Sequence, residues 1–182
     1  MVKSDLREIA YGLEREWAYC CDRIAVAGSV RMGKIEPKDV EVVCIPREEV
    51  VAEDLFSEPI VERDVEFVEA LKKWCIVKGE PEKGRYVKLV VQDGVRVDVF
   101  ICRPENWGVI FAIRTGPAEF SHRCIAKRAH RYGLRIQGGM LTEGGEVVTC
   151  GEEKDLFGRL GMPWIEPSER GESWVLDKYG VF

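Results

Sequence analysis

The chain has 182 residues, 46% hydrophobic and 32% charged, which suits one globular domain or two small ones with a real core. With 18 Gly and 8 Pro it is neither collagen-like nor low-complexity. Its net charge of −5 argues against a nucleic-acid packaging protein, and its apolar runs fall far short of the roughly 20 residues that span a bilayer.

Charge is unevenly placed. Arg123, Lys127, Arg128, Arg131 and Arg135 lie between Ser121 and Arg135 with no acid among them, so one basic face sits on an acidic body. The seven cysteines form no C-x-x-C pair, and four lie inside or beside apolar stretches and read as reduced core thiols, which predicts a cytoplasmic, unsecreted protein without structural zinc. The N-terminus is charged at helical spacing, unlike a secretory leader.

Leu6, Ile9, Ala10, Leu13 and Trp17 recur at helical spacing after Ser4 and Asp5, predicting an amphipathic helix with an N-cap. Arg23 to Ala27 reads as a short strand running into Gly28-Ser29. Asp39 to Ile45 is a β-branched strand with Asp39, Glu41 and Val43 on one face. Val61 to Trp74 reads as a helix with Val61, Val65, Val68 and Leu71 on its apolar stripe. Arg85 to Val91 and Val95 to Cys102 flank Gln92-Asp93-Gly94, a hairpin signal that places Arg96, Asp98 and Phe100 on one face.

The composition shifts near Arg103-Pro104, which divides the chain into residues 1–103 and 104–182. Pro104 to Arg114 and Ala118 to Tyr132 read as helices, the second with Gly133 at C′. On that second helix Arg123, Lys127 and Arg131 share one face, opposite Ile125, Ala129 and Tyr132. Two Gly-Gly pairs within Leu134 to Thr149 predict a short hairpin. Glu152 to Leu160 is a last helix stopped by Gly161, before an irregular tail in which Trp164 and Trp174 read as core plugs. His122 and His130 read as surface residues, because no Ser or Cys constellation accompanies them.

The chemistry-bearing pattern is Gly28-Ser29, a helix start, then Asp39-Val40-Glu41 at the next strand. A strand-end Gly-Ser offers backbone N–H groups and a hydroxyl to a phosphate. A lone D-x-E is usually a solvated strand edge. Joined to Asp98 on a later apolar strand, it makes a three-carboxylate set that would repel itself without a cation, and Mg²⁺ prefers such oxygens.

At these residues the chain resembles the family X DNA polymerases of the nucleotidyltransferase superfamily. GSVRMGKIEPKDVEVV (28–43) is similar to the family's GS-x-R-R-G run followed by D-x-D, and VRVDVF (95–100) to its third-carboxylate strand. RTGPAEFSHRCIAKRAHRYGL (114–134) is similar to the thumb segment beginning T-G-S, and EEKDLFGRLGMPWIEPSER (152–170) to the closing motif.

The resemblance implies an α+β fold: a nucleotidyltransferase palm over residues 1–103, with a mixed β-sheet and helices on one face, and a small α/β thumb over 104–182. It implies the minimal palm-and-thumb type of some viral members, lacking the N-terminal lyase and DNA-gripping domains and acting in the cytoplasm. Asp39, Glu41 and Asp98 would be catalytic and hold two Mg²⁺ or Mn²⁺ ions. Gly28, Ser29, Arg31, Thr115 and Gly116 would bind a nucleoside triphosphate, and Arg123, Lys127, Arg128 and Arg131 would bind DNA. The implied activity is nucleotide addition to a primer 3′ end or a gapped duplex, as a monomeric repair-type polymerase away from membranes.

Three departures stand out: Glu41 replaces the usual Asp, Met32 the second Arg, and Ile113-Arg114 the usual aromatic pair. A transferase acting on a small molecule, protein or RNA end, and a catalytically impaired nucleic-acid-binding remnant, are the alternatives. The resemblance implies a tight thumb turn at Gly116-Pro117 that family members hold cis, and this turn is expected to be cis too, at a cost that proline lowers to about 0.5–1 kcal/mol.

Overall fold

Asp5 opens the first helix by accepting the Arg7 backbone N–H on its carboxylate at 2.9 Å, the N-cap geometry that orphan helix donors favour. The computed structural model describes residues 5–52 and 60–181. In chain order its elements begin with α1 (Leu6–Trp17), β1 (Cys21–Val26), α2 (Gly28–Arg31), β2 (Val40–Pro46) and β3 (Glu48–Ala52). Then come β4 (Ile60–Arg63), α3 (Val65–Lys72), β5 (Cys75–Lys78), β6 (Tyr86–Val90) and β7 (Arg96–Ile101). These are followed by α4 (Trp107–Ile113), α5 (Ala118–Phe120), a π-helical turn (Ser121–Ala126) and α6 (Lys127–Arg131). Last are β8 (Leu134–Gln137), β9 (Met140–Glu143), β10 (Glu146–Val148), α7 (Glu153–Arg159) and α8 (Ser173–Tyr179).

The chain divides into two compact units. One comprises Met1–Val26 and Lys38–Cys102; the other comprises Ala27–Pro37 and Arg103–Phe182. No helix is long and apolar enough to cross a membrane among the described residues.

The first unit is built on a mixed five-stranded sheet in the order β1-β2-β7-β6-β5, with β2 and β7 parallel and the other pairs antiparallel. Alternation explains its core, because Val87, Leu89, Val97 and Val99 are fully buried while Lys88 and Asp98 between them are half-buried. Helix α1 lays Ile9, Ala10, Leu13 and Trp17 against β1 and β2. Burial pushes the Cys102 thiol up to about 12, so it stays protonated.

One expected helix is shorter than its pattern. Residues 60–63 pair with β3 instead, Val50 opposite Val61, and the helix starts only at Val65. Asp64 decides the boundary: its backbone is non-helical and its carboxylate accepts the Glu66 N–H at 2.7 Å. The buried face is therefore Phe67, Val68, Ala70 and Leu71, and Val65 is exposed.

In the second unit the two Gly-Gly pairs make two turns rather than one. Gly138, Gly139, Gly144 and Gly145 all have positive φ, so β8, β9 and β10 form a three-stranded antiparallel sheet. The tail is not wholly irregular, since α8 buries Val175 and Tyr179; Trp164 packs on the core but Trp174 is exposed. Among the described residues no peptide bond is cis, so Gly116-Pro117 is trans, contrary to expectation. Trans is the intrinsically preferred isomer by about 0.5–1 kcal/mol, and Pro117 leads into α5 from an extended conformation.

Candidate functional site

Strand pairing brings two of the three expected acids together in the first unit. Glu41 on β2 is the direct partner of Asp98 on β7, and Val40 the partner of Val97, so both carboxylates share one face. Asp39 lies one residue before β2 begins. On the other side of β7, Lys88 of β6 is the direct partner of Asp98, which completes a cross-strand row of Glu41, Asp98 and Lys88.

The Lys88 Nζ lies 3.3 Å from Asp98 Oδ1, and the Tyr86 hydroxyl donates to the same oxygen at 2.5 Å. Its own hydrogen bond to Asp98, and then the carboxylate's charge, raise the Lys88 ammonium above its usual range, so it stays protonated. Burial first, then the bond to Asp98, raises the Tyr86 phenol and keeps it a donor. Neither Tyr86 nor Lys88 figured in the sequence reading, although the signal was present. Lys88 and Asp98 are equidistant from Asp93 at the centre of the hairpin turn, so the turn alone implies that they face each other.

Among the described residues no group of three or more His, Cys, Asp or Glu side chains is arranged to hold a metal ion. The donor chemistry of Glu41 and Asp98 nonetheless suits a hard divalent cation, being two carboxylates side by side.

The expected nucleotide-binding residues meet in the second unit. Gly28, at φ +60, adopts a conformation other residues resist, and its N–H donates to the Arg114 carbonyl at 2.8 Å. Arg31 Nη1 donates to Thr115 Oγ1 at 2.9 Å, and Thr115 is fully buried beside Gly116. The Ser29 hydroxyl oxygen is buried with no hydrogen-bond partner among the described residues.

Arg31 is already engaged by protein groups. Its guanidinium forks onto Glu153 at 2.9 and 2.7 Å and stacks over Phe111, 3.6 Å from the ring centroid. Glu153 also accepts from Arg170 at 2.8 Å and from the Trp164 indole at 3.1 Å. The fully buried Arg170 donates on to the Thr115 and Ile165 carbonyls. Glu153 and Arg170 were missed in sequence because a buried Arg–Glu–Arg set spread along the chain has no local periodicity.

The four expected DNA contacts part company. The π-helical turn closes i→i+5 in place of i→i+4 bonds and so shifts this face: Arg123 is only 15% exposed and pairs with the exposed Glu119 at 2.8 Å. Arg128 donates to the Leu160, Gly161 and Tyr179 carbonyls at 2.5, 3.2 and 3.0 Å, closing the end of α7 and of α8. Lys127 and Arg131 are exposed, as are His122, His130 and Arg135. Tyr132, expected inside, is also exposed.

Residues 111–171 match the family model of the DNA polymerase beta thumb. The matched segment is about a third of the chain and includes Phe111, Thr115, Glu153 and Arg170. It also carries the exposed Lys127 and Arg131. No curated protein matches the chain.

Proposed function

We propose that this protein is a DNA polymerase-like nucleotidyltransferase that adds nucleotides to a primer 3′ end, using a nucleoside triphosphate and Mg²⁺ or Mn²⁺. The match of residues 111–171 to the DNA polymerase beta thumb carries the reading. The row of Glu41 and Asp98 supports it chemically, with Asp39 two residues before Glu41.

Glu41 and Asp98 would hold the divalent cation, which when bound supplies charge neutralisation and activation of the attacking hydroxyl. Tyr86 and Lys88 fix the Asp98 carboxylate in orientation. The Ser29 hydroxyl has hydrogen-bonding capacity left for a triphosphate oxygen. Arg31 acts at one remove, tying the Gly28-Ser29 turn to Thr115 rather than touching phosphate. Lys127 and Arg131 position the nucleic acid by its phosphates and read no sequence.

A second reading, a catalytically impaired DNA-binding protein, draws on the engagement of Asp98 by Lys88 and of Arg31 by Glu153. One experiment separates them: labelled deoxynucleotide with Mg²⁺ or Mn²⁺ on a gapped duplex, then on a single-stranded primer. Extension that vanishes in Asp98→Asn supports transfer. DNA binding without product under either metal favours the second reading, and neither binding nor product rejects both.

A further inference from the structure

The cross-strand row holds a cation of its own. Direct pairing of β6 with β7 fixes Lys88 opposite Asp98, and direct pairing of β7 with β2 fixes Glu41 on the far side of Asp98. Residues directly paired across strands project to the same face, so the register alone sets Lys88 beside Asp98, on the same face as Glu41. The contact is close: Nζ is 3.3 Å from Asp98 Oδ1, and the Lys88 side chain is 33% exposed against 14% for Asp98. Tyr86 occupies the same Oδ1, so this oxygen already has two donors.

We propose that Lys88 is a tethered counter-cation of the Glu41–Asp98 pair, a positioning residue that competes with divalent cations and so sets their affinity at this site. The inference rests on the reading of Glu41 and Asp98 as a cation site. An ion arriving there must displace Lys88 from Oδ1 or share the pair with a positive charge a few ångströms away. Lys88 thereby lowers the occupancy of the site at low metal concentration, and it neutralises part of the carboxylate charge when no metal is bound. Tyr86 holds Asp98 in the same orientation in both situations.

The test is direct Mn²⁺ binding to the full chain, read by the loss of free Mn²⁺ signal in electron paramagnetic resonance, without DNA or nucleotide. Lys88→Met keeps the length of the side chain and removes the charge, and a thermal melt checks that it is folded. It should bind Mn²⁺ about tenfold more tightly than the wild type, the effect of one nearby charge under partial screening. Lys88→Arg should bind like the wild type, and adding Asp98→Asn to Lys88→Met should abolish the gain.

Equal affinity in wild type and Lys88→Met would overturn the assignment, as would a gain that survives Asp98→Asn. If neither protein binds Mn²⁺, both this inference and the cation-site reading fall. A Lys88→Met protein that binds tightly through Asp98 yet extends no primer would sustain the inference while counting against polymerase activity.

Discussion

Arg31 and Glu153 are 122 residues apart in sequence and form a two-pronged ion pair, Nη1 to Oε1 at 2.9 Å and Nη2 to Oε2 at 2.7 Å. Arg170 adds a third hydrogen bond to Oε1 at 2.8 Å, and both Glu153 and Arg170 are buried. This network ties α2 to α7 and gathers the Thr115 hydroxyl and carbonyl at the same point. It makes a strut of the arginine that was expected on a phosphate, whatever else that side chain contacts.

The strut has a pH signature. Burial by itself would push the Glu153 carboxyl up, but the hydrogen bonds from Arg31 and Arg170 outweigh it and hold it at about 2, against an ordinary 4.5. A carboxyl lowered in the folded state stabilises fully above its unfolded pKa, and that stability is lost as the pH falls from 4.5 through about 2. The linkage is on the order of 3 kcal/mol. Urea midpoints should fall in this window, and Glu153→Gln, less stable at neutral pH by about 3–5 kcal/mol, should show a flatter profile. Parallel profiles for the two proteins would contradict this account.

Gly108 and Gly158 should respond oppositely to alanine. A Cβ on Gly108 would collide with the Glu152 carbonyl just before α7, whereas one on Gly158 would meet nothing within 4 Å. Gly108→Ala should destabilise by roughly 1–3 kcal/mol through overpacking. Gly158→Ala should stabilise by roughly 0.5–1 kcal/mol, because helical glycine carries excess conformational entropy. Denaturant titration of both variants checks the contrast.

Among the basic residues, structural and binding roles are separable. Arg128→Ala leaves carbonyls of Leu160 and Tyr179 without their donor and should cost about 1–3 kcal/mol of stability. Lys127→Ala with Arg131→Ala should leave stability within about 0.5 kcal/mol, as exposed substitutions usually do. The same double variant should flatten the log–log salt slope of duplex binding by about 1.8, at about 0.9 per lost phosphate contact. Unchanged affinity and slope would make these two cations a solvated surface and would favour a small-substrate transferase.

Asp98→Asn should abolish primer extension while the thermal melt persists, because the amide keeps the size of the side chain and can still accept from Tyr86. Extension surviving in this variant would remove Asp98 from the chemistry.

Periodic, local features were legible in the sequence for a physical reason: alternation and capping are written within a few residues of one another. That covers α1 with its Asp5 cap, the buried valines of β7, and the hairpin turn at Gln92-Asp93-Gly94. It also covers the common face of Glu41 and Asp98 once β2 and β7 are neighbours. That they are neighbours, parallel, in the order β1-β2-β7-β6-β5, was decided only by the tertiary structure. So were the grouping of residues 27–37 with the second unit, the half-burial of Arg123 and the capture of Arg31 by Glu153. Each depends on which distant segments win the competition to bury apolar surface and satisfy buried charge, and long-range pairings of that kind leave no period in the chain.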